Sequence, residues 1–298
     1  MNRRGGILVE TGIVKIGSLT LESGIVLDQV QLVYEWAKKD HAPVVLVSHP
    51  LTDDHRVIGN DENPGWWNGL IGKGKSIDSS SFSIISFNAL GGCAGSTGPL
   101  SINSRTNKLY GDTFPEITIR DMVHAERKAL SILGIERLHT IIGSSLGGMR
   151  VLEWGVLYPD DMDLLIPIAV TPFTPGGDSK HPLGKEVTTN YDINKYATLL
   201  RAMSTHDIGR GRGGIKESTK KIEAKTVMLA FTRDLISPPD VIRSFAHLLL
   251  NSSFCLINTR FGHEGFLTEY EKWGLLIKQS MEVAICRQSK SLYSVSAL

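Results

Sequence analysis

A serine flanked by glycines is the residue whose surroundings point most clearly to covalent chemistry. The segment Gly143-Ser144-Ser145-Leu146-Gly147 follows the apolar run LHTII and precedes the helical pattern LGGMRVLEW. A G-x-S-x-G segment between a strand and a helix is typical of a nucleophile elbow, in which a strained turn projects the serine hydroxyl. The pattern therefore predicts Ser145 as a nucleophile. It also predicts that the Leu146 N–H, at the helix N-terminus, stabilises a developing oxyanion.

A serine hydroxyl needs a base to remove its proton, and a third group orients that base. In chains with such an elbow, an acid and then a histidine follow later strands. Asp234 comes directly after the run KTVMLAFT, and His263 lies in GHEGFL after the run FCLINT. Asp240 is a rival acid, but it stands at the start of a helical segment, where capping is the simpler role. The sequence thus predicts a Ser145–His263–Asp234 triad.

The loop after the early apolar run PVVLVS is expected to supply a second oxyanion donor. It reads SHPLTDDH, and we take the Leu51 N–H as the candidate. One such donor is worth about 3 kcal/mol of transition-state stabilisation. His49 and His55 lie in the same loop and could contact a substrate. Cys93, in a glycine-rich loop without a histidine motif, is interpreted as a small packing residue.

Apolar strand-like runs alternate with helical patterns along most of the chain. We predict strands in 17–36 (two, around Ser23-Gly24), 43–48, 82–88, 138–143, 163–170, 225–232 and 254–259. Helices are predicted over 118–133, 146–158, 193–204, 239–250 and 268–283. This alternation indicates an α/β fold with a mostly parallel central sheet and helices on both faces.

The order of strands and helices is interrupted once. Residues 171–222 contain Pro-Gly-Gly, polar residues, one helical pattern and the run GRGRGG. We predict a core domain over 1–170 and 223–286, with 171–222 as a reduced cap inserted into it. The polar segment 287–298 is predicted to be a disordered tail.

Composition argues against several classes of protein. The 298 residues carry a formal net charge of +1, without the basic excess typical of nucleic-acid binders. No apolar run reaches about 18 residues and no signal peptide is recognised, so we expect no membrane association. The three cysteines are widely spaced and form neither a disulfide framework nor a zinc site. These features favour a cytoplasmic protein without a bound metal.

Several longer segments resemble the homoserine O-acetyltransferase family of the α/β-hydrolase superfamily, from about residue 17 to about residue 283. The similar segments are PGWWNGLIGKGKSID (64–78), NALGGCAGSTGPLSIN (88–103), FPEITIRDMV (114–123), GSSLGGMRVLEW (143–154), LLRAMSTHDIGRGRGG (199–214) and GHEGFL (262–267). The PGWW and GGCAGSTGP segments are more specific to this family than the elbow itself.

The resemblance implies the α/β-hydrolase fold and a ping-pong acyl transfer. Ser145 would take an acetyl group from acetyl-CoA, and L-homoserine would then attack the acyl-enzyme to give O-acetylhomoserine for methionine synthesis. His263 would act as base and then as acid in each half-reaction. Acetyl-CoA is thus a co-substrate, and no bound cofactor is implied. The resemblance also implies a homodimer that packs through cap helices.

The sequence departs from the family pattern near the expected substrate site. Most of the family's helical cap has no counterpart, and neither does the cap arginine that holds the homoserine carboxylate. Glu264 stands where the family has aspartate, Arg150 where it has glutamine, and Ser144 where it has glycine. We expect Glu264, Thr52 and Arg150 to contact substrate. Arg210 and Arg212 are expected either to meet the phosphates of coenzyme A or to lie in a solvated loop.

Two other functions stay open. A shortened cap would admit water to the acyl-enzyme, which favours a carboxylesterase or thioesterase. A non-catalytic relative that only binds a ligand or partner is disfavoured by the complete set of serine, histidine and aspartate.

Overall fold

The computed structural model describes residues 2–4, 7–92, 94–174 and 193–295, with side chains for 8–92, 94–174 and 196–284. One nine-stranded sheet runs through this part of the chain, in the spatial order β1-β2-β3-β5-β4-β6-β7-β8-β9. The strands are β1 (Asn2–Arg4), β2 (Ile7–Thr20), β3 (Val26–Ala37), β4 (Val44–Ser48), β5 (Ser83–Phe87), β6 (Leu138–Ser144), β7 (Met162–Ile168), β8 (Lys225–Phe231) and β9 (Ser252–Ile257).

The six strands from β5 to β9 in this order pair in parallel, and β1, β2 and β3 add an antiparallel meander at one edge. Residues 21–25 join β2 to β3, which confirms the predicted pair of strands around Ser23-Gly24. Because parallel strands share a direction, the segments that follow β4, β6, β8 and β9 all emerge at one edge of the sheet. The predicted α/β-hydrolase core with a mostly parallel sheet is confirmed.

The central strands are continuous apolar runs because both faces of the sheet are covered. Successive side chains point to opposite faces: Leu46 packs in one core cluster, and Val45 and Val47 pack in the other. The first cluster contains residues of α1 (Ile119–Ile132), α2 (Leu146–Leu157) and α5 (Pro239–Ala246). The second contains Trp273, Ile277 and Met281 of α6 (Tyr270–Val295).

Helix α1 begins and ends where its sequence predicts. The Thr118 side chain accepts a hydrogen bond from the Asp121 N–H, and the Asp121 carboxylate accepts one from the Thr118 N–H. This capping box satisfies donors that the first turn leaves unpaired. Two further helices lie between β7 and β8, namely α3 (Ile193–Ser204) and α4 (Ile215–Thr219).

Three boundaries differ from prediction by more than two residues. Strand β2 begins at Ile7 rather than at residue 17. Helix α5 ends at Ala246 rather than near residue 250. Helix α6 continues to Val295 rather than ending near residue 283, because no Gly or Pro follows Gly274 to stop the helix. It therefore extends into the segment that the sequence predicts to be a disordered tail. Residues 296–298 lie outside the described residues, as do 175–192 of the predicted cap. None of the described helices is long and apolar enough to cross a membrane.

Candidate active site

The candidate nucleophile lies on a strained turn between β6 and α2. Ser145 has φ 52° and ψ −119°, a conformation that a non-glycine residue adopts only when its surroundings enforce it. A Cβ added to Gly147 would lie 2.0 Å from the Ser48 carbonyl oxygen, and one added to Gly143 would lie 2.7 Å from the Gly147 carbonyl carbon. The turn therefore requires glycine at both positions, as the sequence predicted.

The three predicted triad side chains form one chain of hydrogen bonds. His263 Nε2 lies 3.0 Å from Ser145 Oγ, and His263 Nδ1 lies 2.8 Å from Asp234 Oδ2. The other carboxylate oxygen, Asp234 Oδ1, accepts hydrogen bonds from the backbone N–H groups of Ile236 at 2.9 Å and Ser237 at 2.8 Å. Two backbone donors thus fix the carboxylate, which in turn fixes the imidazole.

This hydrogen-bond chain also defines the tautomer of the histidine. An ionised Asp234 only accepts hydrogen bonds, so the proton of a neutral His263 is assigned to Nδ1. The lone pair on Nε2 then faces the Ser145 hydroxyl and can take its proton. The Asp234 side chain is fully buried and that of His263 is 10% exposed, so the charges that arise are poorly screened by water.

The elements that carry the acid and the base are tied to each other. Asp234 follows β8 and His263 follows β9, and these strands are parallel neighbours. Thr232 Oγ1 donates to the Thr259 carbonyl at 2.8 Å and accepts from the Thr259 N–H at 2.9 Å. These two bonds join the loops after β8 and β9 and keep Asp234 within reach of His263.

The rival acid does not belong to this cluster. Asp240 lies in the first turn of α5, its side chain is 93% exposed, and Arg243 is 4.0 Å away. Only Asp234 has hydrogen bonds to His263 and to two backbone donors. The structure therefore favours Asp234 over Asp240 as the acid of the triad.

The two candidate oxyanion donors follow adjacent parallel strands. Leu51 comes shortly after β4 and Leu146 directly after the elbow, and β4 pairs with β6 at Ser48 and Gly143. Both leucines are buried. Among the backbone hydrogen bonds of the described residues, neither the Leu51 N–H nor the Leu146 N–H has a protein acceptor. Both donors thus have the capacity to bind an oxyanion.

Arg150, predicted to contact substrate, is a structural residue in the folded chain. Its guanidinium is fully buried, pairs with Glu126 Oε1 at 2.5 Å, and donates to the His49 carbonyl at 2.6 Å. A buried charge requires such partners, and these occupy both terminal nitrogens. The sequence prediction for Arg150 is therefore corrected. The partner Glu126 was missed, although a glutamate within the apolar stripe of α1 is a signal of a buried pair.

The two arginines of GRGRGG are also paired within the protein. Arg210 makes a bidentate pair with Glu22 at 2.9 and 2.8 Å, and Arg212 lies 2.8 Å from Glu153. Burial raises the pKa of Glu153, although Arg212 and Arg120 oppose that shift. Arg212 is only 10% exposed, so the solvated-loop alternative is corrected for this residue. Arg210 is 43% exposed, and its contact with the phosphates of coenzyme A stays a prediction.

The remaining residues predicted to contact substrate differ in their exposure to solvent. Thr52 and Glu264 are exposed beside Leu51 and His263 respectively, and Thr52 Oγ1 lies 3.0 Å from Asp53 Oδ2. His49 and His55 are buried, and burial lowers the pKa of His55. Cys93 lies outside the described residues. Within the described residues, no group of three or more His, Cys, Asp or Glu side chains could hold a metal ion.

Trp67, in the PGWW segment, supports the loop that carries the histidine. It is fully buried, packs at a ring-centroid distance of 6.2 Å from Trp273, and donates from Nε1 to the Phe266 carbonyl at 2.9 Å. Phe266 in turn packs edge-on against the His263 ring. The PGWW segment therefore helps to hold the short helical turn that carries His263.

Comparison with known proteins places this site in a family. No protein-family model matches the sequence. Homoserine O-acetyltransferases from Mycobacterium sp. (strain KMS) and Mycolicibacterium smegmatis are 32% and 33% identical to the chain, over 92% of it and over 95% and 94% of their own lengths. A third, from Chlorobium luteolum, is 32% identical over 90% of the chain and 92% of its own length.

Solved structures agree with this relationship. Homoserine O-acetyltransferase from Bacillus anthracis superposes with a TM-score of 0.83 at 21% identity, over 92% of this chain and 98% of that one. The enzyme from Staphylococcus aureus gives 0.78 at 26% identity, over 91% and 95%. Esterase E22 gives 0.80 at 22% identity, over 92% and 100%. The likenesses below 25% identity show the α/β-hydrolase fold.

The sequence relatives are longer in places. The alignment with the Mycobacterium sp. protein extends over 357 positions, more than the 298 residues of the chain, so that relative contains segments without a counterpart here. The similarity nevertheless covers nearly the whole of each protein, and with it the elbow and the segments that carry the acid and the histidine. This chain belongs to the homoserine O-acetyltransferase family.

Proposed function

We propose that this chain transfers an acetyl group from acetyl-CoA to the hydroxyl of L-homoserine through an acetyl-Ser145 intermediate. The observation that carries the proposal is the unbroken line of hydrogen bonds from Asp234 through His263 to Ser145, in a member of a family of acyltransferases. Acetyl-CoA serves as a co-substrate, and the chemistry requires neither a bound cofactor nor a metal.

In the first half-reaction, His263 Nε2 takes the proton of the Ser145 hydroxyl while Oγ attacks the thioester carbonyl. The resulting oxyanion lies between the N–H groups of Leu51 and Leu146. When the tetrahedral intermediate collapses, the carbon–sulfur bond breaks and His263 returns the proton to the sulfur of coenzyme A. The acetyl group then remains as an ester on Ser145.

In the second half-reaction, the homoserine hydroxyl takes the place of the thiol. His263 removes its proton, the hydroxyl oxygen attacks the serine ester, and the same two N–H groups bind the oxyanion. Collapse returns the proton to Ser145 and releases O-acetylhomoserine. Glu264 and Thr52 are exposed at the rim of the site. We propose that the Glu264 carboxylate binds the ammonium of homoserine and that Thr52 hydrogen-bonds the same substrate.

Hydrolysis of the acyl-enzyme is a second candidate function. Leu235, next to the triad aspartate, is 91% exposed, and Phe261, two residues before His263, is 40% exposed. Longer relatives also contain segments that this chain lacks. An apolar rim without a cover among the described residues gives water access to the acyl-enzyme, which favours an esterase or thioesterase.

One assay separates the two reactions. Purified protein is mixed with acetyl-CoA, and free thiol is followed with and without L-homoserine, with Ser145→Ala as the control. The transferase predicts continuous thiol release only with homoserine, and O-acetylhomoserine as the product. Continuous thiol release at the same rate without homoserine would establish hydrolysis and overturn the transferase. Failure of a fluorophosphonate to label Ser145 would instead favour a non-catalytic binding protein.

We also expect a homodimer in the cytoplasm, as the family resemblance and the sparse cysteines suggest. Light scattering coupled to size-exclusion chromatography tests the oligomeric state, and a mass equal to one chain at micromolar concentration would refute the homodimer.

A further inference from the structure

The Leu51 N–H belongs to a peptide group whose other end is held by a side chain. The Pro50 carbonyl and the Leu51 N–H are the two ends of one peptide bond, and no cis peptide occurs in the described residues. In a trans peptide these two groups point in opposite directions. His49 Nδ1 lies 2.7 Å from the Pro50 carbonyl oxygen. A hydrogen bond that fixes this oxygen therefore also fixes the direction of the Leu51 N–H.

The His49 ring itself is held on its far side. The Ala89 N–H donates to His49 Nε2 at 2.9 Å, so Nε2 is the accepting nitrogen. A neutral ring then carries its proton on Nδ1, where it donates to the Pro50 carbonyl. His49 is 1% exposed, so water does not compete for these bonds. The ring thus connects the end of β5 to the peptide that carries Leu51.

The carbonyl group of His49 accepts a hydrogen bond from a side chain of the helix that follows the nucleophile. Arg150 lies on α2, which begins at the residue after Ser145, and its Nη2 donates to the His49 carbonyl at 2.6 Å. Arg150 Nη1 pairs with Glu126 Oε1 at 2.5 Å, and Glu126 Oε2 accepts from Trp154 Nε1 at 2.8 Å. All of these side chains are buried.

We propose that His49 and Arg150 are positioning residues for the acyl transfer. Together they hold the 49–51 backbone so that the Leu51 N–H points at the place where the oxyanion forms. This inference rests on the proposed function in one respect, namely that Leu51 is an oxyanion donor. It assigns a role to a fully buried arginine–glutamate pair that touches no substrate.

Two amide substitutions at His49 separate its two hydrogen bonds. The side-chain nitrogen of His49→Asn occupies roughly the position of Nδ1 and still donates to the Pro50 carbonyl. The side-chain oxygen of His49→Gln reaches the position of Nε2 and still accepts from Ala89, but no donor remains for Pro50. We expect His49→Gln to lower kcat for p-nitrophenyl acetate about 100-fold with KM nearly unchanged, the loss typical of one oxyanion donor. His49→Asn is expected to keep most of kcat.

A conservative change tests the arginine. Arg150→Lys retains the positive charge for Glu126, so the buried carboxylate keeps a partner, but a single ammonium does not reproduce the fork to the His49 carbonyl. We expect a fall in kcat of about tenfold to 100-fold, because small displacements of a catalytic group have effects of that size. The melting temperature of each variant is measured in parallel, since a purely structural role would lower it and leave kcat of the folded protein unchanged.

Fluorophosphonate labelling tests the positioning role of His49 and Arg150 separately from the proposed transferase activity. The rate of labelling by a fluorophosphonate depends on the triad and the oxyanion donors, and not on homoserine or coenzyme A. A failure of homoserine to accept acetyl would remove the transferase but leave the labelling comparison intact. Equal labelling rates and equal kcat for wild type, His49→Gln and Arg150→Lys, with the Pro50–Leu51 peptide unmoved in crystals of the variants, would overturn the positioning role.

Discussion

Replacing Asp234 by asparagine is expected to move the proton of the neutral His263 ring from Nδ1 to Nε2. Asp234 Oδ1 accepts from two backbone N–H groups and Oδ2 accepts from His263. In Asp234→Asn the amide oxygen must face the two backbone donors, because an NH₂ group there would oppose them. The amide NH₂ therefore faces His263 Nδ1 as a donor, which forces the histidine proton onto Nε2.

The expected effect on catalysis is large because Nε2–H cannot accept the Ser145 proton. The loss expected for a wrong tautomer is about 10⁴-fold in kcat, which corresponds to about 5.5 kcal/mol of transition-state stabilisation. Folding is expected to change little, since the substitution is isosteric and the backbone bonds at 2.9 and 2.8 Å are retained.

Asp240→Asn is the matched control. Its carboxylate is 93% exposed and lies 4.0 Å from Arg243, so kcat is expected to stay within about twofold, as for most surface changes. The assay is the initial rate of p-nitrophenyl acetate cleavage and of homoserine-dependent thiol release, with circular dichroism to verify folding. A loss below tenfold in Asp234→Asn, or an equal loss in Asp240→Asn, would refute the assignment of the acid.

Three further changes test other parts of the structure. Gly147→Ala places a Cβ 2.0 Å from the Ser48 carbonyl oxygen, so the free energy of unfolding in urea should fall by about 3 kcal/mol or more. Gly274→Ala should lose much less, because its Cβ would meet side chains rather than backbone: the rotatable Ser76 hydroxyl at 2.4 Å, and Leu70 Cδ1 and Ser76 Cβ at 3.4 Å. Equal urea midpoints for the two variants would contradict this. Burial lowers the pKa of His206 to about 3, so the unfolded chain binds more protons below pH 6.5 and stability falls as pH decreases. Between pH 7 and pH 5, the free energy of unfolding of His206→Leu should therefore fall by about 2 kcal/mol less than that of the wild type, as measured by urea titrations. The same pH dependence in both proteins would contradict a buried neutral ring. Arg210→Met should leave KM for acetyl-CoA within about twofold, because Arg210 pairs with Glu22. A tenfold rise in KM would instead support the predicted phosphate contact.

The positions of the triad residues could be predicted because each is marked by the residues that precede and follow it in the sequence. The elbow needs glycines beside a strand end, and Asp234 and His263 each follow an apolar run that can only be a buried strand. The structure brings these three side chains within hydrogen-bond distance of one another. The parallel sheet could be predicted because apolar strand-like runs alternate with helical patterns along the chain.

The protein partners of the arginines could not be predicted because they are distant in sequence. Arg210 pairs with Glu22 across 188 residues, and Arg150 reaches the His49 carbonyl across 101. No local pattern distinguishes an arginine that meets a ligand phosphate from one that closes a buried ion pair. The end of α6 was missed for a different reason: a polar composition suggested disorder, although the segment contains no residue that stops a helix.

Mass spectrometry of the protein after brief mixing with acetyl-CoA, without an acceptor, tests the central claim most directly. An acetyl-Ser145 intermediate predicts a gain of one acetyl group on the peptide that contains Ser145, its disappearance when L-homoserine is added, and no gain in Ser145→Ala. Transfer of acetyl to homoserine that proceeds in Ser145→Ala at the wild-type rate would contradict a mechanism through acetyl-Ser145.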